Sequence, residues 1–162
     1  MYNYKIDIFL GIIFFVSIIS LISAYLIEHV LGHQPCNLCL IQRIPYGLSL
    51  SLIIFYYFFR KNEHFIILLL ILLFSFSFVM SFYHFGIEQS FFEESAICSL
   101  KNSFEIISKE EILKQLQATS ISCKDVTFKI FGFSLTTINM LISLILVILL
   151  INMFKNYAKL KK

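Results

Sequence analysis

The sequence predicts an all-α membrane protein, a four-transmembrane-helix bundle with a long extracytoplasmic loop between helices 3 and 4 that carries a short amphipathic helix. Three observations lead there. Hydrophobic residues make up 59% of the 162, and the mean hydropathy is +0.85, outside the range of soluble globular domains. Charged residues are sparse and gather between four apolar runs, each long enough to cross a bilayer. Lysine and arginine are also unevenly shared between the two sets of span ends. The whole chain, 1–162, reads as one membrane domain, and its net charge of +3 gives no reason to expect nucleic acid as a partner.

The first span is expected at about 8–27, after a short polar start containing Lys5. A cleaved signal peptide is the competing reading, but the apolar region is longer than a signal core and no small-x-small cleavage site follows it. A polar link, 28–39, leads to a second span at about 40–59, with Pro45 in its first turns. A proline there loosens the helix at little cost when water or neighbours satisfy the freed carbonyl. The third span, at about 65–83, follows the tight polar turn Arg60-Lys61-Asn62-Glu63-His64. The long loop, 84–133, is mixed in charge. Within it Ser108-Lys109-Glu110-Glu111 has capping-box spacing, and Ile112, Leu113 and Leu116 follow at helical intervals. That pattern predicts the amphipathic helix, lying on the membrane surface. The fourth span is expected at about 134–154, before a tail with four lysines.

Orientation follows from the basic residues. Lys5, Arg60, Lys61, Lys155, Lys159, Lys161 and Lys162 flank one set of span ends, whereas the short link 28–39 on the other side has none. Long loops weigh little in the positive-inside rule. Both termini are therefore expected in the cytoplasm, with all four cysteines on the opposite face. In a bacterium that face is the periplasm, where disulfides form and persist.

The stretch that promises chemistry is Gln34-Pro35-Cys36-Asn37-Leu38-Cys39-Leu40-Ile41-Gln42-Arg43. Two thiols three residues apart can close a disulfide on themselves. Pro35 suits a helix start, where its missing N–H costs nothing. Cys36 would then lie in the first turn, where the positive end of the helix dipole favours a thiolate. Arg43 is four residues beyond Cys39, on the same helix face, and a guanidinium stabilises any neighbouring anion. An arginine within a span costs roughly 2.5–3.5 kcal/mol at mid-depth, so a task is expected of it. The plainer readings are a half zinc site for the cysteine pair and an interfacial anchor for Arg43. A small membrane zinc-binding or structural protein, using its cysteines as ligands or staple, is the alternative function; against zinc, the other two cysteines are far apart in the sequence, and no metal site is assigned.

Cys98 and Cys123 enclose a loop whose crosslinking would contribute about 3.5 kcal/mol in the chain-entropy model. A structural staple is one reading. The other is thiol–disulfide exchange between two pairs on one face, through a mixed disulfide. A quinone in the bilayer would serve as the electron sink. His29 and His33 have i, i+4 spacing that would suit a metal or haem, but they fall in the polar link and are read as solvated. His84 is read either as a cofactor contact or as an interfacial histidine.

Taken together, Pro35-Cys36-x-x-Cys39, Gln42-Arg43-x-Pro45-Tyr46, Tyr83-His84-x-Gly86-x-Glu88, Cys98, Cys123, Gly132-x-Ser134 and Asn139 resemble the DsbB family of bacterial membrane thiol oxidoreductases. The resemblance covers nearly the whole chain. It implies four catalytic cysteines forming two redox disulfides, Cys36–Cys39 and Cys98–Cys123. It implies a DsbA-like thioredoxin-fold partner that attacks Cys98, after which Cys123 attacks Cys36 and Cys39 passes electrons to ubiquinone or menaquinone. Arg43 and His84 are the expected quinone contacts, and the inner membrane is the expected location. Glu88 matches the motif without an assigned role.

Overall fold

The structure, a computed structural model, describes residues 2–59, 63–93, 98, 123–124, 129–130 and 132–160. The amphipathic helix expected near 108–116 lies outside the described residues. Four long helices dominate: α1 (Tyr2–His29), α2 (Asn37–Phe58), α3 (Glu63–Glu88) and α4 (Leu135–Leu160). All four are long and apolar enough to cross a membrane, in agreement with the four-helix membrane bundle expected from the sequence.

The distribution of side chains argues that lipid is the solvent. Large apolar residues such as Phe15, Ile19, Phe58, Phe65, Leu72 and Val79 face outward, whereas Ser17, Ser49, Ser77, Ser81 and Ser143 are fully buried. Lipid tails are as apolar as leucine, so burying apolar groups gives no gain. Close approach over small residues and interhelical hydrogen bonds hold such bundles instead. Here Ser17 bonds Ser49 at 2.9 Å between α1 and α2, and Ser77 bonds Ser143 at 2.9 Å between α3 and α4. Towards the end holding the N-terminus of α1, an apolar core takes residues from every helix, including Leu10, Ile53, Leu70, Phe74 and Leu150.

Helix ends shape the opposite, thiol-bearing end. Gly32 turns the chain out of α1 at φ +72°, a conformation side chains disfavour, and the His33 N–H reaches back to the Ile27 carbonyl at 3.2 Å. Pro35 does not open α2. Cys36 is its N-cap, with extended backbone, and its sulfur accepts from the Cys39 N–H. α2 then runs unbroken through buried Pro45. α3 continues to Glu88, and the Phe91 N–H bonds the Gly86 carbonyl at 2.8 Å as the chain folds back. A Cβ on Gly86 would fall on the Phe92 ring, which stacks on Tyr83. Ahead of α4 stands one feature the sequence reading did not include, an antiparallel hairpin of β1 (Lys129–Ile130) and β2 (Phe133–Ser134) turning at Gly132, φ +87°. Ser134 caps α4, its Oγ accepting from the Thr137 N–H at 3.2 Å.

Candidate functional site

The four cysteines converge. Cys36 and Cys39 are thiols with sulfurs 2.9 Å apart, close enough to share a proton. Cys98 and Cys123 form a disulfide, and both are buried in one cluster with Cys36, Leu38 and Ile87, bordered by Cys39, Met80 and Tyr83. The disulfide partners are 25 positions apart and lie in the segment between α3 and α4, so tertiary folding rather than chain proximity brings them against the start of α2.

His84 is the hub of the site and is only 2% exposed. Its Nε2 lies 3.6 Å from the Cys36 sulfur and 3.9 Å from Glu88 Oε1. Its Nδ1 faces the Gln42 amide nitrogen at 3.2 Å and the Thr136 hydroxyl at 3.3 Å. An amide NH2 only donates, so Nδ1 accepts and the ring proton sits on Nε2, aimed at the sulfur. The amide's orientation is fixed in turn, because Gln42 Oε1 accepts from Asn139 Nδ2 at 3.0 Å. Asn139 also donates to Ser81 Oγ at 2.6 Å and accepts from the Tyr46 hydroxyl. Tyr46 adds a 3.4 Å contact with Ser143. A hydrogen-bonded network thus runs from the thiols into the bundle, tying α2, α3 and α4 together.

The network sets the charge on Cys36. The hydrogen bond from the Cys39 thiol, the Nε2–H of His84 and the Cys39 N–H together hold the Cys36 thiol down to about 4, against the opposing effect of burial. Helix-capping geometry and an adjacent imidazole are what stabilise reactive thiolates generally.

Arg43 and Cys39 both line a cavity of about 320 Å³ shared by all four helices. Arg43 donates to Glu28 at the end of α1. Leu21, Ile27, Leu135, Ile138 and Ile142 are among its apolar lining residues, and Cys36, His84, Glu88 and Cys123 lie on its thiol-bearing side. The volume is in the range of small-molecule sites, about 300–1,000 Å³, and the pattern of apolar walls with a few convergent polar groups is typical of them.

Every candidate residue read from the sequence therefore borders one place: Cys36, Cys39, Arg43, His84 and Cys123 at the cavity, and Cys98 joined to Cys123. His29 points away, stacked on Tyr25 at 4.1 Å, whereas His33 borders the cavity. Sequence reasoning gave no role to Glu28, Gln42, Thr136 or Asn139. Gln42 and Asn139 stood within the motifs, and a polar residue inside a span was their signal. Glu28 was visible only as a charge beside an apolar run.

The family model for disulfide bond formation protein DsbB matches residues 7–153. An uncharacterized protein, RP370, from Rickettsia prowazekii (strain Madrid E) is 32% identical over 137 residues, covering 83% of this chain and 80% of that protein. No solved structure gives a significant match. With a family model spanning nearly all of a four-helix chain whose cysteines meet at one buried site, this protein belongs to the DsbB family of disulfide bond formation proteins, which implies oxidoreductase activity.

Proposed function

We propose that the protein reoxidises a periplasmic DsbA-like thioredoxin-fold oxidase and passes the electrons to a membrane quinone. The observation that carries this reading is the convergence of both cysteine pairs beside one cavity. The positive-inside count supports an inner-membrane protein with cytoplasmic termini and outward-facing cysteines.

The exchange steps balance as follows. A partner thiolate attacks Cys98, breaking the Cys98–Cys123 disulfide and releasing Cys123 as a thiolate. Cys123 attacks Cys36 of a Cys36–Cys39 disulfide, and Cys39 leaves with the electron pair. The partner's second thiol then displaces Cys98, and Cys98 displaces Cys36 from Cys123. The partner departs oxidised, the loop disulfide is restored, and Cys36 and Cys39 hold two electrons as a dithiol. Cys36 is a good leaving group in that last displacement because its anion is stabilised by the capping N–H and His84.

The cavity fits a quinone head group: its walls are mostly apolar, Cys39 and His84 border it, and Arg43 offers N–H donors to a carbonyl oxygen. A bound quinone supplies a two-electron, two-proton acceptor for the dithiol. Arg43 would hold it, with Glu28 fixing the guanidinium, and the Nε2–H of His84 would stand ready as a proton source. The test is reconstitution of purified protein with a reduced thioredoxin-fold partner and a water-soluble quinone, following quinone absorbance. One quinone should disappear per partner disulfide formed, and Cys36→Ser should abolish turnover. Turnover by Cys36→Ser would overturn the relay.

A further inference from the structure

We propose that reduced Cys36 and Cys39 form, with His84, a zinc-binding site that holds the protein inactive. The proposal rests on the redox reading only in that the same thiol pair is involved. The sequence offers no second closely spaced cysteine pair to complete a metal site. The structure supplies a histidine instead. Among the described residues, Cys36, Cys39 and His84 are the one group of three candidate ligands whose donor atoms all lie within 4.8 Å of one another.

The distances suit the ion. Zinc binds thiolate at about 2.3 Å and imidazole at about 2.0–2.1 Å in a tetrahedron, which separates a sulfur and a nitrogen ligand by about 3.5 Å and two sulfurs by about 3.8 Å. Cys36 Sγ and His84 Nε2 are already 3.6 Å apart. The two sulfurs, at 2.9 Å, must separate by about 0.9 Å to match that tetrahedron, within reach of a small rotation of the Cys39 side chain. The two-residue gap between the cysteines is within the usual half-site spacing for zinc. The donors sit on rigid elements, the N-cap and first turn of α2 and the last turns of α3.

The surroundings also suit it. On metal binding the imidazole carries its proton on Nδ1, where the Thr136 hydroxyl at 3.3 Å accepts it, and the Gln42 amide, whose NH2 faces Nδ1 at 3.2 Å, must turn aside. Glu88, 3.9 Å from Nε2 and anchored by Ser134 at 2.6 Å, can take the fourth position, as can a water from the cavity. Two thiolates neutralise the dication, which favours a buried site at the membrane edge. Binding is a zinc ion plus the thiolate–thiol pair, giving a dithiolate complex and releasing the one proton the two sulfurs share. No electrons move, and a Cys36–Cys39 disulfide has no thiolate to offer. The site therefore exists only in the reduced protein, and zinc there withholds the dithiol from its acceptor.

The test uses full-length protein in detergent carrying Cys98→Ser and Cys123→Ser, reduced and freed of reductant without oxygen. Cobalt(II) is titrated as the optical probe and displaced with zinc(II). One cobalt per chain with a near-ultraviolet thiolate-to-cobalt band is expected. His84→Gln should weaken binding at least tenfold and alter the visible bands. Re-oxidised protein, and a chain also carrying Cys39→Ser, should lose the two-thiolate spectrum while retaining its helical circular dichroism. No thiolate–cobalt band, or equal affinity in His84→Gln, overturns the proposal. Reconstituted turnover in otherwise wild-type protein separates the two readings. Turnover without a cobalt band removes only the zinc site. A band without turnover removes the redox reading and leaves the zinc site standing.

Discussion

Asn139→Ala tests the polar network most directly. Asn139 joins three helices: it accepts from Tyr46 on α2, donates to Gln42 on α2 and donates to Ser81 on α3. Interhelical hydrogen bonds in membrane proteins average about 0.6 kcal/mol each, so three amount to about 1.8 kcal/mol. Truncation also strands buried partners, and one unsatisfied group adds about 1 kcal/mol. The expected loss is about 2–3 kcal/mol, roughly a 30- to 100-fold shift in the unfolding equilibrium at tenfold per 1.4 kcal/mol. Unfolding in mixed micelles with rising SDS, followed by circular dichroism, measures it. Tyr46→Phe removes one of the three bonds and should cost about 0.6 kcal/mol. The double variant should cost less than the sum, because both singles break the same bond. A loss below about 0.5 kcal/mol for Asn139→Ala, or strict additivity, would refute the network as a source of stability.

Two further outcomes concern the site. The Cys36 thiol is held at about 4, so in reduced protein its alkylation by iodoacetamide should stay nearly constant from pH 8 to pH 6, where an ordinary thiol of pKa about 8.5 slows tenfold per unit. By linkage, the reduced fold should lose stability as pH falls from about 9 towards 4, since the unfolded chain takes up the Cys36 proton first. A tenfold loss of alkylation rate per unit below pH 8 contradicts the assigned thiolate. Arg43→Met should raise the KM for a water-soluble quinone at least tenfold, because the cavity loses its fixed cation. Glu28→Gln should raise it less, as the guanidinium remains. Steady-state kinetics at saturating partner measures both, and an unchanged KM for Arg43→Met contradicts its placement as a quinone contact.

The bundle was legible because a membrane span needs only length and apolarity, which the four runs carry openly. The cysteine pair and Arg43 were legible because their spacing fixes their mutual position on one helix face. His84 was not, since a histidine near the end of an apolar run reads equally as interfacial. Only the packing of α3 on α2 and α4 surrounds it with Cys36, Gln42 and Thr136. The Arg43–Glu28 pair was hidden for the same reason: it links the end of α1 to the second turn of α2 across the intervening link. The hairpin 129–134 escaped notice because each strand has two residues, too few for an alternating pattern.

The most direct measurement of the thiol relay uses a chain carrying Cys39→Ser and Cys98→Ser, which leaves one cysteine of each pair. Peptide mapping by mass spectrometry, under non-reducing conditions and after oxidation in membranes, should find a Cys36–Cys123 disulfide. Two freely alkylated thiols in the folded, oxidised protein would contradict transfer between the pairs.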